Sequence, residues 1–185
     1  IPAARVEKLK ACELLGDLMT VVTILGAGGK MGNRITKPLL ETKKYQLRFV
    51  EKSEAGQARI REAGLEVMDL DDALKGTDVV IFTTPDALVR QISDEVVPKL
   101  DPGTKILFLD PAAIAASRVK KREDISCFVC HPTHPPVFSL LGETDPAARR
   151  DYWGGGLATQ ALVFAIAWGT EEEADLVETI ATEMF

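Results

Sequence analysis

Residues 21–32 read VVTILGAGGKMG, an apolar β-rich run that feeds a glycine-rich turn and then opens a helix. Each glycine has a task in such a turn: Gly26 permits the tight reversal, Gly28 or Gly29 lets backbone approach a pyrophosphate, and Gly32 lets the helix pack closely on the strand. Lys30, Met31 and Gly32 open the helix, whose unpaired N–H groups and positive dipole end attract phosphate. The spacing departs from a strict G-x-G-x-x-G: there is one residue too many after Gly28, and reading through Gly29 gives G-x-x-G-x-x-G. What gives the pattern weight is its setting between a strand and a helix, and the acid that follows.

That acid is Glu51, at the end of the next strand and 25 residues after Gly26. A carboxylate there takes the ribose hydroxyls of an adenosine and repels a 2′-phosphate, which favours NAD over NADP, although Lys52 beside it softens the preference. Working outward, short β-rich runs alternate with amphipathic stretches, the pattern of a Rossmann-type, doubly wound, mostly parallel α/β sheet. Strands are predicted at 21–25, 47–50, 66–68, 78–83, 105–109, 125–130 and 160–168. Helices are predicted at 30–43, 53–63, 70–75, 88–99 and 112–120, with a last one over 170–185 that carries acids in its first turn. Pro38 predicts a bend or an early end of the first helix. VVIF at 79–82 and ILFL at 106–109 are uninterrupted apolar runs, as central parallel strands require.

Ligands in such sheets lie beyond the carboxyl ends of the strands, near the reversal in strand order. Thr84, Pro85 and Asp86 are therefore expected on the cofactor crevice, with Asp110 and Pro111 at its rim; a strand-ending turn with a helix cap is the plainer account of 84–86. Both histidines lie in CHPTHPP, residues 130–136, directly after a predicted strand. Imidazole suits proton removal from an alcohol as hydride leaves, so His131 is the first candidate base and His134 the second. Two histidines do not define a metal site, and a metal stays open. CFVCH at 127–131 matches a haem-attachment pattern, but alternation along a strand sends Cys127 and Cys130 to opposite faces, so inert thiols are expected.

The chain has 185 residues, 46% of them hydrophobic and 27% charged, which suits one folded domain over 19–185 behind an N-terminal extension, residues 1–18. With 22 Lys and Arg against 28 Asp and Glu, the net charge of −6 argues against a nucleic-acid partner. Three cysteines are too few, and odd in number, for a disulfide framework, so a cytoplasmic setting is expected. No apolar run has the roughly 18 residues a membrane helix needs.

Three stretches together carry a resemblance: ILGAGGKMG at 24–32, HPTHPP at 131–136 and ETDPAARRDYWGG at 143–155. The glycine loop and the His-Pro are similar to those of prephenate dehydrogenases, within the 6-phosphogluconate and β-hydroxyacid dehydrogenase superfamily, and the combination resembles the D-apionate oxidoisomerase group. The resemblance implies NAD-dependent oxidation of a sugar acid or hydroxy acid. It also implies a helical C-terminal domain that dimerises and completes the substrate pocket; the chain ends ahead of it, so an incomplete active site is expected. The other readings are a nucleotide-binding sensor without chemistry and a dihydrodipicolinate reductase-like enzyme, whose histidine-lysine cluster does not occur here.

Overall fold

The computed structural model describes residues 19–133, 145–150 and 161–185. The chain runs β1 (Thr20–Leu25), α1 (Lys30–Thr42), β2 (Tyr45–Val50), α2 (Glu54–Glu62), α3 (Leu70–Leu74), β3 (Val79–Phe82), α4 (Asp86–Val96), β4 (Lys105–Phe108), α5 (Ala112–Ala115), β5 (Ser126–Thr133), β6 (Ala161–Trp168) and α6 (Glu171–Met184). The strands form one sheet in the order β2-β1-β3-β4-β5-β6. All neighbours are parallel except β5 and β6, which pair antiparallel. The doubly wound, mostly parallel α/β architecture expected from the sequence is the one observed.

The central strands are buried on both faces, which is why VVIF and KILF carry no alternation. Inward residues divide into two clusters. One, including Val22, Ile24, Ile81 and Leu107, packs with α1 and α6; the other, including Val80, Phe82, Ile106 and Phe108, packs with α3 and α4. Cys130 belongs to the first and Cys127 to the second, as strand alternation requires. Burial raises both thiols, Cys130 to about 11, so neither ionises near neutral pH.

Four local expectations need correction. Residues 66–68 make a single bridge, Val67 to Phe49, and not a strand; with one contact the sheet gains no seventh member, and β2 is its edge. Helix α1 continues to Thr42 past Pro38, because the helix is held along its length by buried Ile35, Thr36 and Leu39. Helix α4 starts at Asp86 rather than 88, since Pro85 has a fixed φ suited to entering a helix. Helix α5 stops at Ala115 instead of 120: Ser117 takes a left-handed conformation (φ 52°), and the Arg118 amide turns back to the Ala113 carbonyl (2.8 Å).

The order of the strands fixes where a site must be. The chain goes from β1 outward to β2, then returns to the other side of β1 for β3. The loops after β1 and β3 therefore diverge, and a crevice opens between them.

Candidate functional site

The glycine turn after β1 is built by close backbone approaches. Gly26 has a left-handed φ of 78°, and a Cβ there would sit 3.1 Å from Thr84 Cγ2. The Gly26 and Ala27 amides both donate to the Val50 carbonyl at the end of β2 (2.9 and 3.2 Å). A Cβ on Gly28 would fall 2.3 Å from the Gly56 carbonyl oxygen, and one on Gly32 would fall 2.4 Å from the Ala27 carbonyl oxygen. The close approach that Gly28 permits in the structure is to the backbone of α2. Gly29 is the residue before α1, its amide donating to the Gly26 carbonyl (2.9 Å).

Glu51 turns back onto this loop. Its Oε2 accepts from the Gly28 amide (3.2 Å), and its Oε1 accepts from the Ser53 amide and hydroxyl (both 2.9 Å). A Cβ on Gly56 would meet the Glu51 carboxyl carbon at 2.5 Å, so the carboxylate keeps its place only because position 56 has no side chain. Arg59 Nε donates to the Gly28 carbonyl (2.8 Å), so both peptides flanking Gly28 are held. Neither Gly56 nor Arg59 is announced by a local pattern: Gly56 matters through the Glu51 carboxylate and the Gly28 backbone, and Arg59 through the Gly28 carbonyl, 31 residues away.

The loop after β3 closes the crevice opposite. Thr83 donates its hydroxyl to the carbonyls of Leu25 (2.8 Å) and Gly26 (3.0 Å), tying the two loops together. Thr84 Oγ1 is the one buried side-chain nitrogen or oxygen atom among the described residues that has no hydrogen-bond partner. An orphaned hydroxyl costs about 1–3 kcal/mol, which a ligand group able to donate or accept would recover.

Two hollows meet here. A narrow, mainly apolar one of about 300 Å³ is lined by Gly26, Gly29, Val50, Glu51, Thr84, Pro85, Leu88 and Ile92. A wider one of about 660 Å³ runs from Gly29, Lys30, Met31 and Arg34 past Thr84, Pro85 and Asp86 to Asp110, His131 and Pro132. Thr83, Thr84 and Pro85 form the wall common to both. The sequence-derived candidates Gly26, Gly29, Lys30, Met31, Glu51, Thr84, Pro85, Asp86 and His131 therefore come together around one crevice. Gly28 and Gly32 support the turn from behind it, and His134 lies outside the described residues.

His131 lies near the carboxyl end of β5 and lines the wider hollow. Its Nδ1 lies 3.0 Å from the Leu109 carbonyl oxygen and 3.7 Å from Asp110 Oδ2. A carbonyl only accepts, so Nδ1 carries a hydrogen, and in the neutral ring Nε2 holds the lone pair. Asp110 is fixed in turn by the Ala112 amide, which donates to its Oδ1 (2.7 Å). Among the described residues no group of three or more His, Cys, Asp and Glu is assembled to hold a metal.

The residues fit an extended anionic ligand with an apolar planar end. Helix α1 is entered through Gly29, which has no side chain to cap its first turn. Residues 20–140 match the family model of the acetohydroxy acid isomeroreductase NADPH-binding domain, and residues 142–185 match that of the C-terminal part of phosphogluconate dehydrogenase (decarboxylating). The chain belongs to this 6-phosphogluconate dehydrogenase-like family.

Among relatives, it is 44% identical over 165 residues to a D-apionate oxidoisomerase from Cupriavidus necator, covering 89% of this chain and 59% of the relative. A D-apionate oxidoisomerase from Rhizobium rhizogenes is 42% identical over 88% of the chain and 58% of its own length. The structure of a semialdehyde dehydrogenase NAD-binding protein from Cupriavidus necator, in complex with calcium and NAD, superposes with a TM-score of 0.79 at 43% identity. It covers 90% of this chain and 59% of its own. The chain thus spans somewhat under two thirds of the length of these relatives. No helix of the described residues is long and apolar enough to cross a membrane.

Proposed function

We propose that this chain is the cofactor-binding unit, over residues 19–185, of an NAD-dependent oxidoreductase acting on a hydroxy acid or sugar acid of the kind its D-apionate oxidoisomerase relatives are named for. The observation that carries the reading is Glu51: its carboxylate is held at the Gly28 amide, across the mouth of the glycine turn, on the wall of the narrow apolar hollow. In that place it receives ribose hydroxyls and disfavours a 2′-phosphate. The hollow beside it, walled by Val50, Leu88 and Ile92, suits an adenine, and the uncapped mouth of α1 suits the pyrophosphate. The Thr84 hydroxyl lies where the cofactor passes from the narrow hollow to the wider one.

NAD, when bound, accepts the hydride. The chain's own part is to hold and orient it and to take up the alcohol proton. His131 is the base in this reading, with His134 the second candidate. The Leu109 carbonyl keeps the proton on Nδ1, leaving Nε2 as the acceptor, and the nearby Asp110 carboxylate stabilises the ring once it is protonated. The length that the relatives have beyond the shared part supports a substrate pocket completed there, and the dimerising helical domain that the family resemblance implies supports a homodimer. The acidic balance and the inert thiols support a cytoplasmic setting without a nucleic-acid partner.

Titration calorimetry of the chain with NAD tests the reading. Saturable binding is expected, weakened at least tenfold by Glu51→Ala, since hydrogen bonds to a charged group contribute about 1.5–3 kcal/mol. Absence of NAD binding, or unchanged affinity in Glu51→Ala, overturns it.

A further inference from the structure

Next to the Glu51 hollow lies a second, strongly charged one of about 540 Å³, and the two share Glu51, Lys52 and Glu95 on their common rim. Three cations face the charged hollow, and each already has an acceptor. Lys52 Nζ lies 2.8 Å from Glu95 Oε2, Lys99 Nζ lies 2.5 Å from Asp71 Oδ1, and an Arg61 NH2 group donates to Gln57 Oε1 (3.0 Å). Lys52 is the cation adjacent in sequence to the ribose-binding candidate, and its partner comes from α4, 43 residues later, across the crevice.

We infer that Glu95 is a specificity-determining residue for the cofactor: by holding Lys52 and adding its own negative charge to the rim, it denies a 2′-phosphate the lysine that would otherwise receive it. The inference rests on the cofactor reading above and adds to it a residue on a different element. Glu51 alone disfavours a phosphate by direct repulsion, but a lysine beside it offsets that repulsion if its ammonium is available. With its ammonium at Glu95, Lys52 is directed to α4. The pair is exposed, Lys52 at 68%, so its strength is that of a surface ion pair and its effect on selectivity is correspondingly modest.

The test is calorimetry of the 185-residue chain with NAD and with NADP for the unaltered protein, Glu95→Gln, Lys52→Met and the double variant. Glu95→Gln is expected to strengthen NADP binding relative to NAD about fivefold, equivalent to about 1 kcal/mol. The gain should shrink as salt is raised and vanish in the double variant. Lys52→Met alone should change the NADP to NAD ratio by less than twofold. An unchanged ratio in Glu95→Gln, with NAD still binding, overturns the role of Glu95. A gain that survives in the double variant overturns the part assigned to Lys52. Failure of the unaltered chain to bind NAD removes the cofactor reading itself, and this inference with it.

Discussion

Helices α1 and α6 pack on the same face of the sheet, contributing Ile35 and Leu39 from one and Val177 and Ile180 from the other to a single core cluster, yet they begin in opposite ways. At α6, Thr170 accepts from the Glu173 amide (3.3 Å) while Glu173 accepts from the Thr170 amide (2.9 Å), a closed capping box followed by acids at 171–173. At α1, the residue before the helix is Gly29, no side chain caps it, and its first turn has no acid. Helix α4, which enters from Pro85 on the crevice wall, also lacks a side-chain cap, whereas α2 is capped by Ser53 and α3 by Asp69. One mouth is closed by the side chains of its own sequence; the other is entered through a glycine, the kind of helix start that suits an anion.

The comparison can be broken most severely at Gly28. Alanine there drives a methyl into the Gly56 carbonyl, so Gly28→Ala should lower stability by about 1–3 kcal/mol in urea titrations and abolish measurable NAD binding. If the variant unfolds like the parent, the close approach of α2 to the turn is not what the glycine provides.

A smaller effect is expected at the closed mouth. Thr170→Ala should cost about 1 kcal/mol of stability and leave NAD affinity unchanged. Acid should act at the same place. The Ser126 hydroxyl, and then the Thr170 amide, hold the Glu173 carboxyl below the usual carboxylate range. A depressed folded-state value stabilises the protein above the ordinary glutamate pKa, and this contribution is lost as pH falls through the lowered value. The difference in urea midpoint between the parent and Glu173→Gln should therefore narrow as pH drops below about 4; a gap that stays constant with pH rules out the ionised carboxylate as the cause.

The most discriminating experiment has two small effects of opposite sign. Thr84→Val removes the orphaned hydroxyl while keeping the side chain's shape, so the chain without cofactor should gain about 1 kcal/mol and NAD affinity should fall a few-fold. If both quantities move the same way, Thr84 is not a group awaiting a partner.

Much of this is legible in the sequence because the relevant patterns are local. Apolar runs of four residues mark β3 and β4, and the glycine turn stands between a strand and a helix whose registers are plain. What escapes is non-local. Val67 looks like part of a strand from its neighbours, and only the three-dimensional arrangement shows that it makes a single bridge to Phe49. The end of α5 depends on Ser117 accepting a left-handed conformation that serine does not signal. Glu51 is legible because strand endings are predictable; that its carboxylate reaches the loop rather than solvent depends on the bare position at Gly56 in the following helix.

That last dependence has a practical side. Positions 28, 51 and 56 interlock so that a methyl at 28 strikes the backbone at 56, and a methyl at 56 strikes the carboxylate at 51. Anyone grafting this nucleotide pocket onto another scaffold must transplant all three together. Moving the glycine turn and the acid without the bare position on the following helix would deliver the correct letters with the acid displaced from its post.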